Sequence, residues 1–408
     1  MRKLLPLFLV ILCALPWAEE NAFSRLAKEE YWQRKHQYPP VTKEALVQAI
    51  ELGRSYFLNH QKGDGNFVYM LDLENGETVQ KDNAVRQAGA LWALCSLCRD
   101  RYNEPTGKAA RLGIEFFAKN VKTLANGTQC AVYPGNSVIS TGTPALLCLA
   151  LTEYIRGRKD FMDADLRLKY QGLLDMHLNF LKVMEMSDGS WSSAYETEHG
   201  IQSSKSSGYY DGEALLAYIK AAKYMGRTDL LPRIDMAIPL LLNKYTLECW
   251  KPGGDANTSK AFSQWAMMAM AEYYDADWNT HDGLIADAAQ AYGWWLIYTN
   301  SLEHRSGNTG YSVEGLVAVY NVMDAAGRKD EAARMLDIIM RITSRLLTLQ
   351  CGSPLSRYND KLASIPKLPD GAAGGIINAD DDTRVRIDTH QHQMNAMLML
   401  LKVLEKQQ

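Results

Sequence analysis

The sequence has no run of basic residues beyond its first few positions and no internal apolar stretch long enough to span a bilayer. Lys and Arg number 44 against 47 Asp and Glu, which leaves a formal net charge of −3. Nucleic-acid binding needs clustered positive charge facing the phosphates, and a membrane-spanning helix needs about 20 consecutive apolar residues. The sequence therefore argues against a nucleic-acid partner and against a span beyond its N-terminus. It favours a soluble globular protein whose partner is small or neutral.

Cysteine is scarce and does not form a zinc-binding pattern. Beyond the N-terminus there are six: Cys95, Cys98, Cys130, Cys148, Cys249 and Cys351. Cys95 and Cys98 lie within an apolar helical run, and no second CxxC or Cys-His pair completes a four-ligand site. We interpret this pair as small buried side chains and predict neither a metal nor a cofactor. An even number of cysteines permits disulfides in an oxidising compartment, and the pairing stays open.

The N-terminus resembles a targeting segment. A positively charged start is followed by the apolar run Leu4–Leu15 and by Ala18, a small residue suited to cleavage. We predict a signal peptide over 1–18, an N-terminal extension over 19–41, and export to the periplasm or medium. A lipoprotein is disfavoured because Leu12, rather than a small residue, precedes Cys13. An uncleaved membrane anchor is the other alternative.

From about residue 42 onward, helical segments alternate with Gly-, Pro- and Asp-rich turns, and almost nothing alternates with the two-residue period of a strand. The pattern predicts twelve helices, which form six hairpins. Their predicted ranges are 42–60, 82–101, 106–121, 142–156, 163–185, 207–226, 229–244, 258–275, 282–298, 307–326, 330–350 and 384–404.

The second helix of each pair is apolar almost all round and rich in Ala and Gly, whereas the first is amphipathic. The stretches 144–151 and 265–271 are examples. A helix that is apolar on every side is buried on every side. One buried and one amphipathic helix per pair predict two concentric rings, with the second helices inside.

Two sequence patterns that each occur twice in the chain support this assignment. The sequence from Tyr210 matches that from Tyr311 without gaps, and both give Tyr-x-x-Glu-[Ala/Gly]-Leu-[Leu/Val]-Ala. The turns at Asp64-Gly65 and Asp188-Gly189 are each followed two residues later by an aromatic residue, Phe67 or Trp191. Asp-Gly is typical of a tight turn with positive φ at the glycine.

With these hairpins and turns, the chain from about 42 to 404 resembles the (α/α)6 toroid group. Its members include six-hairpin glycosidases, unsaturated glucuronyl hydrolases and N-acylglucosamine 2-epimerases. The resemblance implies an all-α (α/α)6 toroid domain over 42–408 and a saccharide ligand. The Asp-Gly-aromatic turns also resemble those of terpenoid cyclases, but the acidic run 380–382 lacks the spacing of the catalytic acids in those enzymes.

In such a ring the inner helices open their N-termini on one face, where free N–H groups and helix dipoles suit a polar ligand. Asp, Ser, Thr and Asn at these starts are explained by capping, whereas Tyr, Arg, Gln, Trp and His are not. We therefore predict a ligand cavity at this face. The candidates for substrate binding are Arg86, Gln87, Tyr133, Tyr209, Tyr210, Trp265, Tyr311, Arg386 and His390, and the candidates for catalysis are Asp211, Glu213, Glu314, Asp388 and His392.

The candidate acids and histidines suggest specific roles. Asp388 and His392 are four residues apart on one helix face, an arrangement that suits acid–base catalysis. A structural Asp–His or Asp–Arg pair that closes the ring is the alternative. Glu213 and Glu314 lie on different inner helices and suit a pair of glycosidase carboxylates, with Asp211 as a third candidate. A Tyr–Glu pair that supports the helix starts is the alternative for these two.

The leading hypothesis from the sequence is an exported saccharide-active enzyme, a glycoside hydrolase that uses paired carboxylates. Sugar epimerisation or polysaccharide β-elimination comes next. A non-catalytic toroid that binds a polysaccharide or a protein during envelope assembly is the rival from another class. Replacing Glu213 or Glu314 with Ala separates these hypotheses, because only an enzyme loses turnover while it retains ligand binding.

Overall fold

The computed structural model describes residues 38–79 and 81–407. The folded unit spans Val41–Gln408. The predicted signal peptide over 1–18, Cys13 and most of the 19–41 extension lie outside the described residues, so export stays a prediction. No helix in the described part of the chain is both long and apolar enough to cross a bilayer.

Twelve long helices in the described residues form six antiparallel hairpins, as predicted. The outer helices are α1 (Lys43–Asn59), α3 (Glu104–Lys119), α5 (Ala164–Val183), α7 (Leu231–Leu242), α9 (Asp282–Trp294) and α11 (Lys329–Thr348). The inner helices are α2 (Ala84–Asp100), α4 (Gly142–Arg158), α6 (Gly208–Met225), α8 (Ala256–Tyr274), α10 (Gly310–Ala325) and α12 (Ile387–Lys406). Helices α7 and α9 continue as π-helical turns, Asn243–Leu247 and Trp295–Thr299.

The inner helices close a ring in chain order. Each of α2, α4, α6, α8 and α10 packs on the next, and α12 packs back on α2. The outer helices α1, α3, α5, α7 and α11 pack mainly on one inner helix each, and α9 packs on both α8 and α10. The predicted (α/α)6 toroid is therefore confirmed.

Small residues let the inner helices approach closely. A Cβ atom added at Gly212 of α6 would lie 2.4 Å from Cβ of Trp265 on α8, and one added at Gly315 of α10 would lie 2.4 Å from Cε of Met267. At Gly212 the clash is with a Cβ atom, which cannot move aside, so glycine is required there, whereas the end of the flexible Met267 side chain can move away from position 315. The Ala- and Gly-rich composition of the second helices thus sets the diameter of the ring.

Short antiparallel ladders join the loops that precede the inner helices. Strand β1 (Met70–Asp72) pairs with β6 (Arg384–Arg386), and β4 (Val138–Ser140) pairs with β5 (Ala194–Glu196). A hairpin of β2 (Val121–Thr123) and β3 (Gln129–Ala131) completes the set. Each strand has three residues, too few to produce a readable alternation in the sequence. The β1–β6 ladder joins the beginning and the end of the ring beside the starts of α2 and α12.

The two Asp-Gly turns have the same geometry. Gly65 and Gly189 have φ values of 103° and 78°, and the preceding aspartates accept backbone hydrogen bonds from Asn66 at 3.0 Å and Ser190 at 3.1 Å. The predicted positive φ at both glycines is present, and both turns lie next to the start of an inner helix.

All six cysteines in the described chain are buried and free. Burial raises the pKa of Cys95 and Cys98 above the ordinary thiol value. These two thiols are therefore inert core side chains, in agreement with the interpretation of Cys95 and Cys98 from the sequence.

Candidate active site

A cavity of about 460 Å³ opens where the inner helices begin. All six inner helices, or the residues just before them, contribute to its wall. The lining is formed by Asn83, Val85, Arg86, Leu146, Tyr209, Tyr210, Glu213, Gln264, Trp265, Gly307, Asn308, Tyr311, Asn378, Arg386, Asp388, Thr389, Gln391 and His392. The size is that of a small-molecule site.

Most candidates from the sequence meet in this cavity. Nine of them line it: Arg86, Tyr209, Tyr210, Glu213, Trp265, Tyr311, Arg386, Asp388 and His392. A tenth, Glu314, is fully buried and contacts His392. The structure thus brings together residues that are up to about 300 positions apart in the sequence.

The central contact is a histidine–glutamate pair between two inner helices. Nδ1 of His392 on α12 lies 2.8 Å from Oε2 of Glu314 on α10. Gln264 on α8 donates to the same carboxylate oxygen at 2.6 Å. The rings of Trp265 and Tyr311 stand edge-on to the imidazole, with centroids 6.0 and 6.3 Å away. The imidazole is therefore held in one orientation by a carboxylate and two aromatic walls.

The protonation of Glu314 decides the histidine tautomer. Burial raises the pKa of Glu314, while the contacts with His392 and Gln264 act in the opposite direction. When Glu314 is ionised and accepts, the imidazole proton lies on Nδ1. Nε2 is then the nitrogen with a free lone pair, on a side chain that lines the cavity and remains 20% exposed. Such an atom can accept and return a proton.

Glu213 supplies a second type of group, a carboxyl group whose burial favours the neutral form. It lines the cavity on α6, its Oε2 has no hydrogen-bond partner in the described structure, and burial raises its pKa well above the ordinary value. Space for this side chain depends on Gly142, the first residue of α4. A Cβ atom at Gly142 would lie 2.4 Å from Oε2 of Glu213 and 2.6 Å from the ring of Tyr210.

We expect Glu213→Gln to change the pH dependence of stability. Because the folded-state pKa is raised, wild-type stability falls as the pH rises from about 4.5 towards that pKa, by at most about 1.4 kcal/mol per pH unit. The amide does not titrate, so the stability of the variant rises relative to that of the wild type over this pH range. Thermal unfolding of both proteins at pH 4.5 and pH 8 measures the effect. Equal differences in Tm at the two pH values would show that Glu213 is not held neutral.

Asp388 forms ion pairs with two arginines rather than with His392. Its carboxylate accepts two hydrogen bonds from Arg386, at 2.5 and 3.0 Å, and lies 3.0 Å from Nε of Arg86 on α2. The alternative of an Asp–Arg pair that ties α12 to α2 is therefore present. Both guanidinium groups line the cavity and remain partly exposed, so they can donate to the oxygens of a ligand.

Two candidates, Gln87 and Asp211, point away from the cavity and hold the repeated turns. Gln87 accepts from the backbone N–H of Phe67 at 3.0 Å, and Asp211 accepts from that of Trp191 at 2.8 Å. Asp211 also accepts from the hydroxyl of Tyr245 at 2.6 Å, and burial raises its pKa to about 6. The buried backbone N–H of each turn needs an acceptor, and the adjacent inner helix provides it.

Tyr133 and His390 also lie outside the cavity lining. The hydroxyl of Tyr133 donates to Asp82 at 2.6 Å. The imidazole of His390 is fully buried next to Tyr56 and Phe57, and its Nε2 lies 3.1 Å from the carbonyl oxygen of Gly53. Burial lowers the pKa of His390 to about 3, so it is a neutral core residue.

Several lining residues were not among the candidates. Gln264 and Gln391 both place an amide 3.2 Å from Nδ1 of His392, and Asn308 and Asn378 line the cavity from loops. The only signal for Gln264 was a polar residue within an otherwise apolar inner helix. The loop residues left no periodic signal, since their position depends on contacts between distant parts of the chain.

Among the described residues, one group of three side chains is close enough to hold a metal ion: Glu196, Glu198 and His199. This group is not part of the cavity lining. The oxygens of Glu196 already accept backbone hydrogen bonds from Glu198 and His199, both at 2.7 Å. The group therefore makes a compact turn beside β5.

Comparison with known proteins places the chain by its fold. No family model and no curated protein sequence matches it. Among solved structures it is similar to a D-mannose isomerase, with a TM-score of 0.64, 12% identity, and coverage of 90% of this chain and 100% of that one. A sugar epimerase from a ruminal bacterium matches with a TM-score of 0.59 and 11% identity, over 88% of this chain and 98% of that one. An unsaturated glucuronyl hydrolase specific for heparin matches with a TM-score of 0.59 and 8% identity, over 89% of this chain and 99% of that one. At these identities the likeness concerns the (α/α)6 toroid itself.

Proposed function

We propose that this protein is a carbohydrate-active enzyme that isomerises or epimerises a reducing sugar by proton transfer at the carbon next to the carbonyl group. The observation that carries the proposal is the 2.8 Å contact between Nδ1 of His392 and Glu314. When Glu314 accepts from Nδ1, Nε2 is left as a base on a side chain that lines the cavity, and one base suffices to move the proton between C2 and C1.

The lining residues account for each proton. Nε2 of His392 removes the proton from C2 of the open-chain aldose, and the C2–H electron pair forms the C1–C2 double bond. The carbonyl π electrons move to O1, which takes a proton from the neutral carboxyl of Glu213. Glu213 then takes back a hydroxyl proton. Return of the carbon-bound proton from His392 to C1, as Glu213 takes the O2 proton, yields a ketose. The epimer forms when the enediol rotates about C2–C3 so that its other face meets Nε2, C2 takes the proton there, and Glu213 takes the O1 proton.

Arg86 and Arg386 suit the oxygens of the sugar. Asp388 fixes both guanidinium groups at the cavity wall through contacts of 2.5–3.0 Å. Fixed cationic donors stabilise negative charge that develops on oxygen in the transition state. Tyr209, Tyr210, Trp265 and Tyr311 supply aromatic surfaces for the apolar faces of a sugar ring.

Glycoside hydrolysis, the leading hypothesis from the sequence, is less well supported. It normally requires two carboxyl groups that face the scissile bond. In the described lining the carboxyl groups are Glu213 and Asp388, and the second is engaged by two arginines. Glu314 is fully buried behind His392. The similar structures include sugar isomerases and epimerases as well as hydrolases, so they agree with a sugar ligand under either mechanism.

The test is to incubate the protein with D-mannose, D-glucose and cellobiose and to identify the products by NMR. We expect conversion of at least one of them to its ketose or its C2 epimer. The methyl glycosides are the matched control and should not react, because they lack a free carbonyl group. Release of free sugar from methyl β-cellobioside, with every reducing sugar unchanged, would contradict the proposal and favour hydrolysis.

A further inference from the structure

One wall of the candidate active site carries two arginines around a single carboxylate. Asp388 accepts two hydrogen bonds from Arg386 and lies 3.0 Å from Nε of Arg86. Arg86 alone ties α2 to α12 through this carboxylate. Arg386 lies two residues before Asp388 in the same segment, and in the described chain it forms an ion pair with no other acid. The tie between the helices therefore accounts for one arginine and leaves the second unexplained.

Both guanidinium groups have N–H groups left for a ligand. Nη1 of Arg86 donates to the hydroxyl of Tyr69. In the described chain no hydrogen bond involves Nη2 of Arg86 or Nη1 of Arg386. Both residues line the cavity, and their side chains are 35% and 34% exposed. They therefore present surface to a ligand, and the fork of a guanidinium group fits a carboxylate or a phosphate.

The lining has one more positive than negative charge. Arg86 and Arg386 face one ionised acid, Asp388. The other carboxyl group of the lining, Glu213, favours its neutral form because burial raises its pKa. All six inner helices also begin at this cavity, and each N-terminus adds partial positive charge. An anion would balance this excess.

Groups behind the lining do not reverse the sign. Glu314 is fully buried, and its carboxylate is engaged by His392 and Gln264 at 2.8 and 2.6 Å. Arg305 donates to the hydroxyl of Tyr311, a lining residue, at 2.8 Å and forms no ion pair in the described chain. This cation offsets the charge of Glu314, so the excess of one positive charge remains.

The spacing along α12 relates the arginines to the proposed base. Asp388 is the second residue of this helix and His392 is the sixth, so about 6 Å along the axis separates them. Because the helix begins at the cavity, Asp388 and its arginines lie nearer the mouth. In an extended hexose, C2 and C6 are four C–C bonds, or about 5 Å, apart. A sugar with C2 at Nε2 of His392 therefore brings its C6 group to the arginines.

We propose that the reducing sugar converted at this site is a hexuronate, whose C6 carboxylate binds Arg86 and Arg386 while its C2 lies at Nε2 of His392. This inference deepens the proposed function and rests on it. The proton transfers are unchanged, and the bound carboxylate undergoes no covalent step. One negative charge matches the excess in the lining, whereas a phosphate monoester carries almost two. Neutral aldoses remain substrates, but slower ones.

The test compares substrates that differ only in the C6 group. D-Glucuronate and D-mannuronate are measured against D-glucose and D-mannose, which have CH2OH in place of the carboxylate, and against the 6-phosphates of these two hexoses. Initial rates followed by NMR give kcat/KM for each. We expect a preference of at least tenfold for a uronate, the factor that one hydrogen bond to a charged group contributes. An equal or higher kcat/KM for the neutral sugars, or for the phosphates, would overturn the inference.

Variants of one arginine assign the preference to this wall. Arg386→Gln removes the charge and should lower the ratio of kcat/KM for uronate to that for neutral sugar at least tenfold, whereas Arg386→Lys should retain most of it. Arg384→Gln is the matched control, because Arg384 lies in the same strand, pairs with Asp382 at 2.8 Å and is outside the lining. An unchanged ratio in Arg386→Gln would contradict the assignment. The comparison of substrates on the wild-type protein stands even if this variant fails to fold.

This inference and the proposed function fail in different ways. If neutral sugars are converted and uronates are not, the uronate is wrong and the proposed function stands. Methyl β-D-glucuronide and methyl β-D-glucoside, which have no free carbonyl group, test binding alone by calorimetry. If no reducing sugar is converted, but the glucuronide binds at least tenfold more tightly than the glucoside and Arg386→Gln removes this difference, uronate binding stands and the proposed function is wrong.

Discussion

His392→Asn should lower kcat/KM for the sugar that the enzyme converts by about 10²- to 10⁴-fold, with little change in KM. The reason is that a positioned general base contributes about this factor, and the amide cannot accept the proton that Nε2 takes. Asparagine retains polarity and is smaller, so the walls formed by Trp265 and Tyr311 need not move. Initial rates over a range of substrate concentrations measure both constants.

The control for this variant is His199→Asn. His199 is an exposed histidine that lies outside the cavity lining, so its loss should leave kcat/KM unchanged. Full activity in His392→Asn would remove the imidazole from the mechanism. A raised KM with an unchanged kcat would assign it to substrate binding alone.

Glu153→Gln should lower the free energy of unfolding by about 3–5 kcal/mol, the usual cost of breaking a buried ion pair by removing one partner. The Glu153 carboxylate is 1% exposed and lies 2.5 Å from Lys220 and 2.8 Å from Arg156, and it also pairs with Arg99. The amide would leave these cations without their shared negative charge. Urea denaturation at pH 7 measures the loss.

The acid dependence of this effect has a definite sign. Burial opposes ionisation of Glu153, but the neighbouring cations prevail and lower its pKa to about 2. Its contribution is therefore present above about pH 4.5 and is lost as the pH falls through about 2. The stability difference between wild type and Glu153→Gln should shrink over that window. Glu104→Gln, which alters an exposed pair with Lys108, is the control and should not change the denaturation midpoint.

The fold could be predicted because its signal is repeated and local. Each inner helix is apolar on all sides, and each Asp-Gly turn marks the approach to an inner helix. The predicted ranges differ from the structure by at most four residues at either end. The prediction of helix at 384–386 was wrong, because Arg384–Arg386 forms strand β6 by pairing with β1. The three-residue strands escaped prediction because pairing with distant strands, rather than their own sequence, makes them extended.

The position of the site could also be predicted, but the partners within it could not. Asp388 and His392 share a helix face by sequence spacing, yet Asp388 pairs with Arg386 and Arg86, and His392 contacts Glu314 on another helix. The sequence likewise offered no means of separating Glu213, which faces the cavity, from Asp211, which holds a turn. Those orientations depend on the closed ring and on the acceptor that each turn requires.

The most direct test of the account is the ¹⁵N spectrum of histidine-labelled protein, with the His392 signals assigned by their absence from His392→Asn. We predict a protonated Nδ1 and an unprotonated Nε2 at neutral pH, and a shift of the Nε2 signal alone when the converted sugar is added. Glu314→Gln should abolish the preference for a proton on Nδ1. An unprotonated Nδ1 in the wild-type protein, or an Nε2 signal indifferent to the sugar, would contradict the assignment of His392 as the base.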